Sequence, residues 1–284
     1  EVLRFGKLLA GWSKTRQSPV LLSCLGGEPF AWPYLLDVLT DLKVNGLGTS
    51  VTTNGRLLSA GRYSLDEICA GLSEITISID GHGAVHDNSR GETDLYRRVT
   101  AYLRELSIRP ISPYLRVNIL LTTASLPSFA RIVQDCIEVG VSEISFNTLW
   151  LPPDHPLSHL KPRLEDFVRF EEVLGDVRRR FAGVCAILGS TRYMSRLVEY
   201  CSGHPVFVPD CHPGQRTLFI DTAGRAAPCA YTTAEYGIDI ASITQVDDLD
   251  RIPAIFQQMR LETIASACQD CPETNVFGKF DVPI

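Results

Sequence analysis

Four cysteines towards the end of the chain could hold a metal centre: Cys211, Cys229, Cys268 and Cys271. Cys268 and Cys271 are separated by two residues, a spacing that lets both thiolates reach one ion or cluster. Cys211 and Cys229 bracket the stretch RTLFIDTAGRAAP, which reads as a β-hairpin turning at Ala223-Gly224, so its two ends can carry the thiolates towards one point. Four thiolates fit a 4Fe–4S cluster or a structural zinc. A zinc ribbon usually offers two close cysteine pairs; only one is close here, which leans the reading towards iron and sulfide. The remaining alternative is four buried, incidental cysteines. The chain has 9 cysteines, an odd count, in a length that needs no disulfide staples and with no visible secretory signal, so a reducing cytoplasmic setting is expected. Cys24 and Cys136 fall within strand and helix patterns and read as core.

A second set of polar residues recurs where strands should end. These are Gly26-Gly27-Glu28-Pro29, Thr53-Asn54-Gly55, Ser78-Ile79-Asp80-Gly81, Asn118 within its strand, and Asn147. Each could be ordinary turn chemistry, since Asn-Gly and Asp-Gly are common turn dipeptides. On five successive strands they describe a polar rim over an apolar barrel, because ligands of parallel α/β sheets meet the carboxyl ends of the strands. The paired glycines would let a ligand touch the backbone, and Glu28 could grip an ammonium group.

The elements that must position these residues follow from hydrophobic periodicity. Strands are expected at 19–25, 47–53, 74–80, 115–123 and 141–150. Helical patterns separate them, one of them opening on a capping box of Ser64 and Glu67. Apolar strands joined through single helices mean βαβ units and a parallel sheet. An opening helix precedes the first strand, a loop follows residue 150, and two further helices cover RLEDFVRFEEVLGDVRRRF and MSRLVEYC. From about residue 205 the βα rhythm stops, and IPAIFQQMR is helix-like. The fold class is therefore α/β, a full or partial TIM-like β/α barrel over residues 1–204, with the partial (β/α)6-type form implied by the resemblance given below, followed by a small hairpin-and-helix domain over 205–284. A net charge of −6 argues against a nucleic-acid partner, and no apolar run reaches membrane-spanning length.

GGEP, TTNG and SIDG…HDNSRG, in this order and at these strand ends, resemble the radical S-adenosylmethionine superfamily. The tail resembles that superfamily's twitch domain, a shortened SPASM domain carrying one auxiliary cluster; no cysteine follows Cys271, and Phe277 stands where a full SPASM domain would place one. The resemblance implies that Gly26, Gly27 and Glu28 hold the methionine amino end of S-adenosylmethionine. It implies that Ser78 and Asp80 line its ribose or carboxylate side, that Arg90 pairs with the carboxylate, and that Asn118 contributes. Cys211, Cys229, Cys268 and Cys271 would ligate the auxiliary 4Fe–4S cluster. The implied activity is oxidative modification of a small molecule or a peptide by a 5′-deoxyadenosyl radical, with the auxiliary cluster as electron relay and a flavodoxin or ferredoxin as reductant.

One departure bears on activity. The superfamily's CxxxCxxC spacing occurs nowhere in the chain. It is expected, with a first strand and a second 4Fe–4S cluster, upstream of Glu1, so the chain alone is expected to be inactive. The rival readings are a ribosomal-peptide maturase specifically, or a degenerate, non-catalytic iron–sulfur or zinc-binding scaffold.

Overall fold

The computed structural model describes residues 1–151 and 154–281. Residues 152–153 of the expected loop and the last three residues of the expected C-terminal domain lie outside the described residues.

In chain order the first part comprises α1 (Val2–Arg16), β1 (Leu21–Cys24), α2 (Leu35–Val44), β2 (Gly48–Thr53), α3 (Arg56–Ser59), α4 (Leu65–Gly71) and β3 (Glu74–Ile79). It continues with α5 (Ala84–Arg90), α6 (Leu95–Ser107), β4 (Tyr114–Leu121), α7 (Phe129–Glu138), β5 (Glu143–Thr148), α8 (Leu164–Arg180), β6 (Ala186–Ile187) and α9 (Thr191–Cys201). The six strands form one sheet in the order β1-β2-β3-β4-β5-β6, every neighbouring pair parallel. The expected capping box forms at the start of α4, where Ser64 and Glu67 each bond the other's backbone N–H.

Strand alternation divides the sheet into two unlike faces. Val51, Ile75, Val117, Ile144 and Phe146 pack in one core with Leu39 of α2, Ile68 of α4, Leu103 of α6, Ile132 of α7 and Phe167 of α8. The opposite face carries Ser50, Glu74, Arg116, Asn118 and Ser145. The apolar core expected beneath the polar rim lies on the helix-covered face. The charges on the inner face are tolerable because register neutralises them. Arg116 of β4 lies between Glu74 of β3 and Glu143 of β5, donating to Glu74 at 2.9 Å and pairing with Glu143. Ser50 Oγ donates to the same Glu74 oxygen at 2.9 Å. One row above, Ser78, Asn118 and Ser145 are register partners across β3, β4 and β5.

The tail comprises β7 (Phe219–Ile220), β8 (Arg225–Ala227), α10 (Thr233–Tyr236), β9 (Ile238–Asp239) and α11 (Val246–Glu262). β7 and β8 form the expected antiparallel hairpin, with Gly224 at φ +78° in its turn, a conformation that suits glycine. β9 adds to β8 as a third strand. Phe5 of α1 joins Tyr236, Ile240, Ile252 and Phe256 in the tail's own core. Trp12 Nε1 donates to Asp250 at 2.7 Å, so the opening helix is a member of the tail's packing as well as a neighbour of α2.

Several elements depart from the sequence reading. β6 and β9 were not expected, because two-residue strands carry no readable periodicity. AVHDNSR forms α5, a short helix that the periodicity did not mark. α11 begins at Val246 instead of about Ile252: Pro253 reads as a helix start but sits inside the helix. No helix among the described residues is long and apolar enough to cross a membrane.

Candidate metal centre and cofactor rim

Cys211, Cys229, Cys268 and Cys271 all line one cavity of about 340 Å³. They arrive from different directions: Cys211 from the loop before β7, Cys229 just after β8, and the close pair from the turns beyond α11. Arg260 of α11 reaches between two of them, its Nη1 lying 3.2 Å from Cys268 Sγ and 3.7 Å from Cys211 Sγ. Those two sulfurs are thus no farther apart than the sum of these distances. Cys229 Sγ lies 3.4 Å from Thr232 Oγ1. Cys271 is fixed through its backbone: its N–H donates to Val206 O at 2.9 Å, and its carbonyl accepts from Arg196 at 3.1 Å. Burial pushes the Cys211 and Cys229 thiols up and carries Cys271 to about 11. The nearby Arg260 charge works against this at Cys211. Bare thiolates are therefore disfavoured here, and an electrophilic centre that deprotonates its ligands outright would remove that penalty. Among the described residues no three His, Cys, Asp or Glu side chains close around a point as a single ion requires. A cavity of this size with a thiol on each side suits a larger, multi-atom group better than one ion.

The rim residues are brought to neighbouring strand ends. Gly26 and Gly27 follow β1 at φ +90° and +54°, with open space where a side chain would sit, so their backbone can be approached closely. Glu28 turns to the end of the neighbouring strand. One of its oxygens accepts from Phe30 N–H at 3.1 Å and Thr53 Oγ1 at 2.8 Å, and the other accepts from Asn54 N–H at 3.0 Å. The carboxylate therefore staples the glycine turn to β2 and keeps acceptor capacity on the second oxygen. Asp80 and Arg90 meet each other: Arg90 donates to one Asp80 oxygen at 2.8 Å and lies 2.7 Å from the second, to which Ser89 Oγ also donates at 2.8 Å. Ser78 is half-buried on the inner face, and Asn118 accepts from Ser145 Oγ at 3.0 Å.

Three residues given no role by sequence reasoning stand out. Arg260 lines the cysteine cavity and Arg196 holds the backbone of Cys271, each from a helix whose pattern marks it only as a charged position. His86 is fully buried, its Nδ1 accepting from Asp80 N–H at 3.1 Å. Burial pushes its pKa down, so the ring is neutral with its proton on Nε2, which has no partner among the described residues. His86 thereby fixes the backbone from which Asp80 projects. The signal lay within HDNSRG, but only the helical turn of α5 aims His86 back at β3.

The six-stranded parallel sheet with its helix-covered outer face resembles the partial barrel of radical S-adenosylmethionine proteins, and a small antiparallel sheet follows it. No protein-family profile matches the chain. A probable GTP 3′,8-cyclase from Sulfurisphaera tokodaii is 25% identical over 231 residues, 78% of this chain and 69% of that protein. The Streptococcus suis protein SuiB, in its crystal structure with S-adenosylmethionine, superposes with a TM-score of 0.61 at 18% identity, over 96% of this chain and 64% of SuiB. The chain thus spans just under two thirds of SuiB, which has also been solved with the precursor peptide SuiA. The protein anSMEcpe with bound AdoMet gives a TM-score of 0.60 at 13% identity, over 97% of this chain and 75% of that one. The two superpositions, at 18% and 13% identity, bear on the fold alone.

Proposed function

We propose that the chain is the main body of a radical S-adenosylmethionine enzyme that carries out an oxidative modification, with an auxiliary 4Fe–4S cluster held by Cys211, Cys229, Cys268 and Cys271. The observation that carries this reading is the convergence of four thiols from separate segments on one cavity of about 340 Å³. Residues 1–204 act as the barrel and 205–284 as the twitch-like domain. When bound, S-adenosylmethionine and a reduced iron–sulfur cluster supply hydrogen-abstracting radical chemistry.

The chain's own residues bind and orient. Gly26 and Gly27 offer backbone to the cofactor's amino-acid end. Glu28 holds their turn against Asn54 and presents its remaining acceptor position to the ammonium. Ser78 and Asn118 on the inner face offer hydroxyl and amide groups to the ribose or carboxylate side. Asp80 and Arg90, locked as a bidentate pair over His86, shape the wall of the site. Four cysteine ligands leave no open iron, which suits electron transfer over direct substrate ligation. A peptide substrate is favoured over a small metabolite, because both solved relatives named above have been captured with peptides, SuiB with SuiA and anSMEcpe with Cp18Cys.

The test is anaerobic reconstitution of the full chain with iron and sulfide. About four irons per chain are expected, falling when any one of the four cysteines is changed to serine. Calorimetry with S-adenosylmethionine should show binding that Glu28→Ala weakens. Zinc in place of iron, or iron retained in all four serine variants, would overturn the cluster assignment. Binding untouched by Glu28→Ala would overturn the rim assignment.

A further inference from the structure

Arg260 is 7% exposed and extends from the last turn of α11 into the cysteine cavity. A guanidinium buried to this degree is normally neutralised by a carboxylate, since an unpaired buried charge is costly. Among the described residues no Asp or Glu oxygen lies within ion-pair distance of it. Asp210, on the cavity wall, turns instead to His212 at 3.3 Å.

What the guanidinium does face is sulfur. Nη1 lies 3.2 Å from Cys268 Sγ and 3.7 Å from Cys211 Sγ. Nη2 is held from behind, donating to Val208 O and, at 3.4 Å, to Pro209 O. The Phe207 ring lies beneath it at 5.7 Å. One nitrogen is thus tied to the loop that delivers Cys211, and the other is aimed at two thiols from different segments. A planar, permanently charged fork suits this double duty, whereas a lysine has a single point charge and no second fixed nitrogen.

We infer that Arg260 is the electrostatic partner of the cluster ligands Cys211 and Cys268: it directs positive charge and N–H donors at these two sulfurs and favours the reduced state of the cluster. The inference rests on the four-cysteine reading above and adds to it a positioning residue. The physical reason is charge. A cluster with four thiolates is an anion, and reduction adds a further negative charge. A fixed cation at its edge, in a cavity of low polarisability, lowers the cost of that added electron, as do hydrogen bonds to the sulfurs. The stabilisation is one-sided, because Cys229 faces Thr232 Oγ1 and Arg196 holds Cys271 through its carbonyl rather than its sulfur.

The experiment uses the full chain, reconstituted anaerobically with iron and sulfide, as wild type, Arg260→Lys and Arg260→Gln. Iron and sulfide content, circular dichroism and the midpoint potential from an EPR-monitored titration are measured for each. The expected result is a midpoint displaced to more negative potential in Arg260→Gln, with Arg260→Lys between it and the wild type. A folded Arg260→Gln that has lost its iron is the same effect at its limit and supports the inference. Retained iron with an unchanged midpoint in Arg260→Gln overturns it while leaving the cluster assignment standing. A wild-type chain that takes up no iron overturns both.

Discussion

Arg116→Met should remove the charge that makes the floor of the barrel tenable. The side chains of Arg116, Glu74 and Glu143 are 16%, 14% and 14% exposed, so the substitution strands two carboxylates, one on each side of β4, with little access to water. Breaking a fully buried ion pair by removing one partner costs about 3–5 kcal/mol. The residual exposure screens part of this, and Ser50 still donates to Glu74, so the low end, about 3 kcal/mol, is expected. Urea unfolding followed by far-ultraviolet circular dichroism reads this as a midpoint lowered by about 1 M, taking a slope of about 3 kcal/mol per M for a chain of this size. Arg116→Lys should recover only part of the loss, because an ammonium cannot bridge two carboxylates as the fork does. Adding Glu74→Gln and Glu143→Gln to Arg116→Met should recover most of it, since the stranded charges are then gone. A midpoint within about 0.2 M of wild type for Arg116→Met would refute the reasoning, because a slope of about 3 kcal/mol per M leaves no room there for a stranded pair.

His86 is neutral in the fold because burial lowers its pKa, so the unfolded chain binds the extra proton, and stability should fall as pH drops below about 6.5. His86→Asn should flatten that acid slope in melts taken across the range, and an unchanged slope would count against a buried neutral ring. Lys279 is 7% exposed, and burial brings its pKa down to about 7, with Glu273 and Arg116 acting in opposite directions. Lys279→Met should therefore stabilise the chain by a few kcal/mol at and below pH 7, the gain shrinking towards pH 10.5 where the lysine is neutral in both states. Arg196 is 2% exposed and ties α9 to Asp270 and the Cys271 carbonyl. Arg196→Met should loosen the tail first, read as earlier proteolytic cleavage beyond residue 205 and lower iron retention, with the βα sheet still melting cooperatively.

Much of the architecture was legible because it is locally encoded. Five of the six barrel strands carry apolar runs long enough to read, and Ser64 with Glu67 announces the start of α4 through short-range bonds alone. The hairpin at Gly224 is equally local, since the turn demands a positive φ. The order of the rim motifs along the chain was also visible, because each follows its strand directly. What only the tertiary structure decided is where the charges go. Glu28 reads as a free ligand but is bonded to Thr53 and Asn54, residues 25 and 26 positions away. Asp80 and Arg90 read as two separate contacts and are one pair, because a short unexpected helix turns Arg90 back over the end of β3. The polar inner face depends on the register that sets Arg116 between two glutamates on neighbouring strands, and no single strand contains that information. Arg260 shows the same limit most clearly: its helix pattern marks an ordinary basic residue near a C-terminus. Only the packing of α11 against the loop at Val208 carries its charge, buried, to the sulfurs of Cys211 and Cys268. Local propensity writes elements into a sequence; the partner of a buried charge is chosen by long-range packing, where desolvation makes every unpaired group expensive.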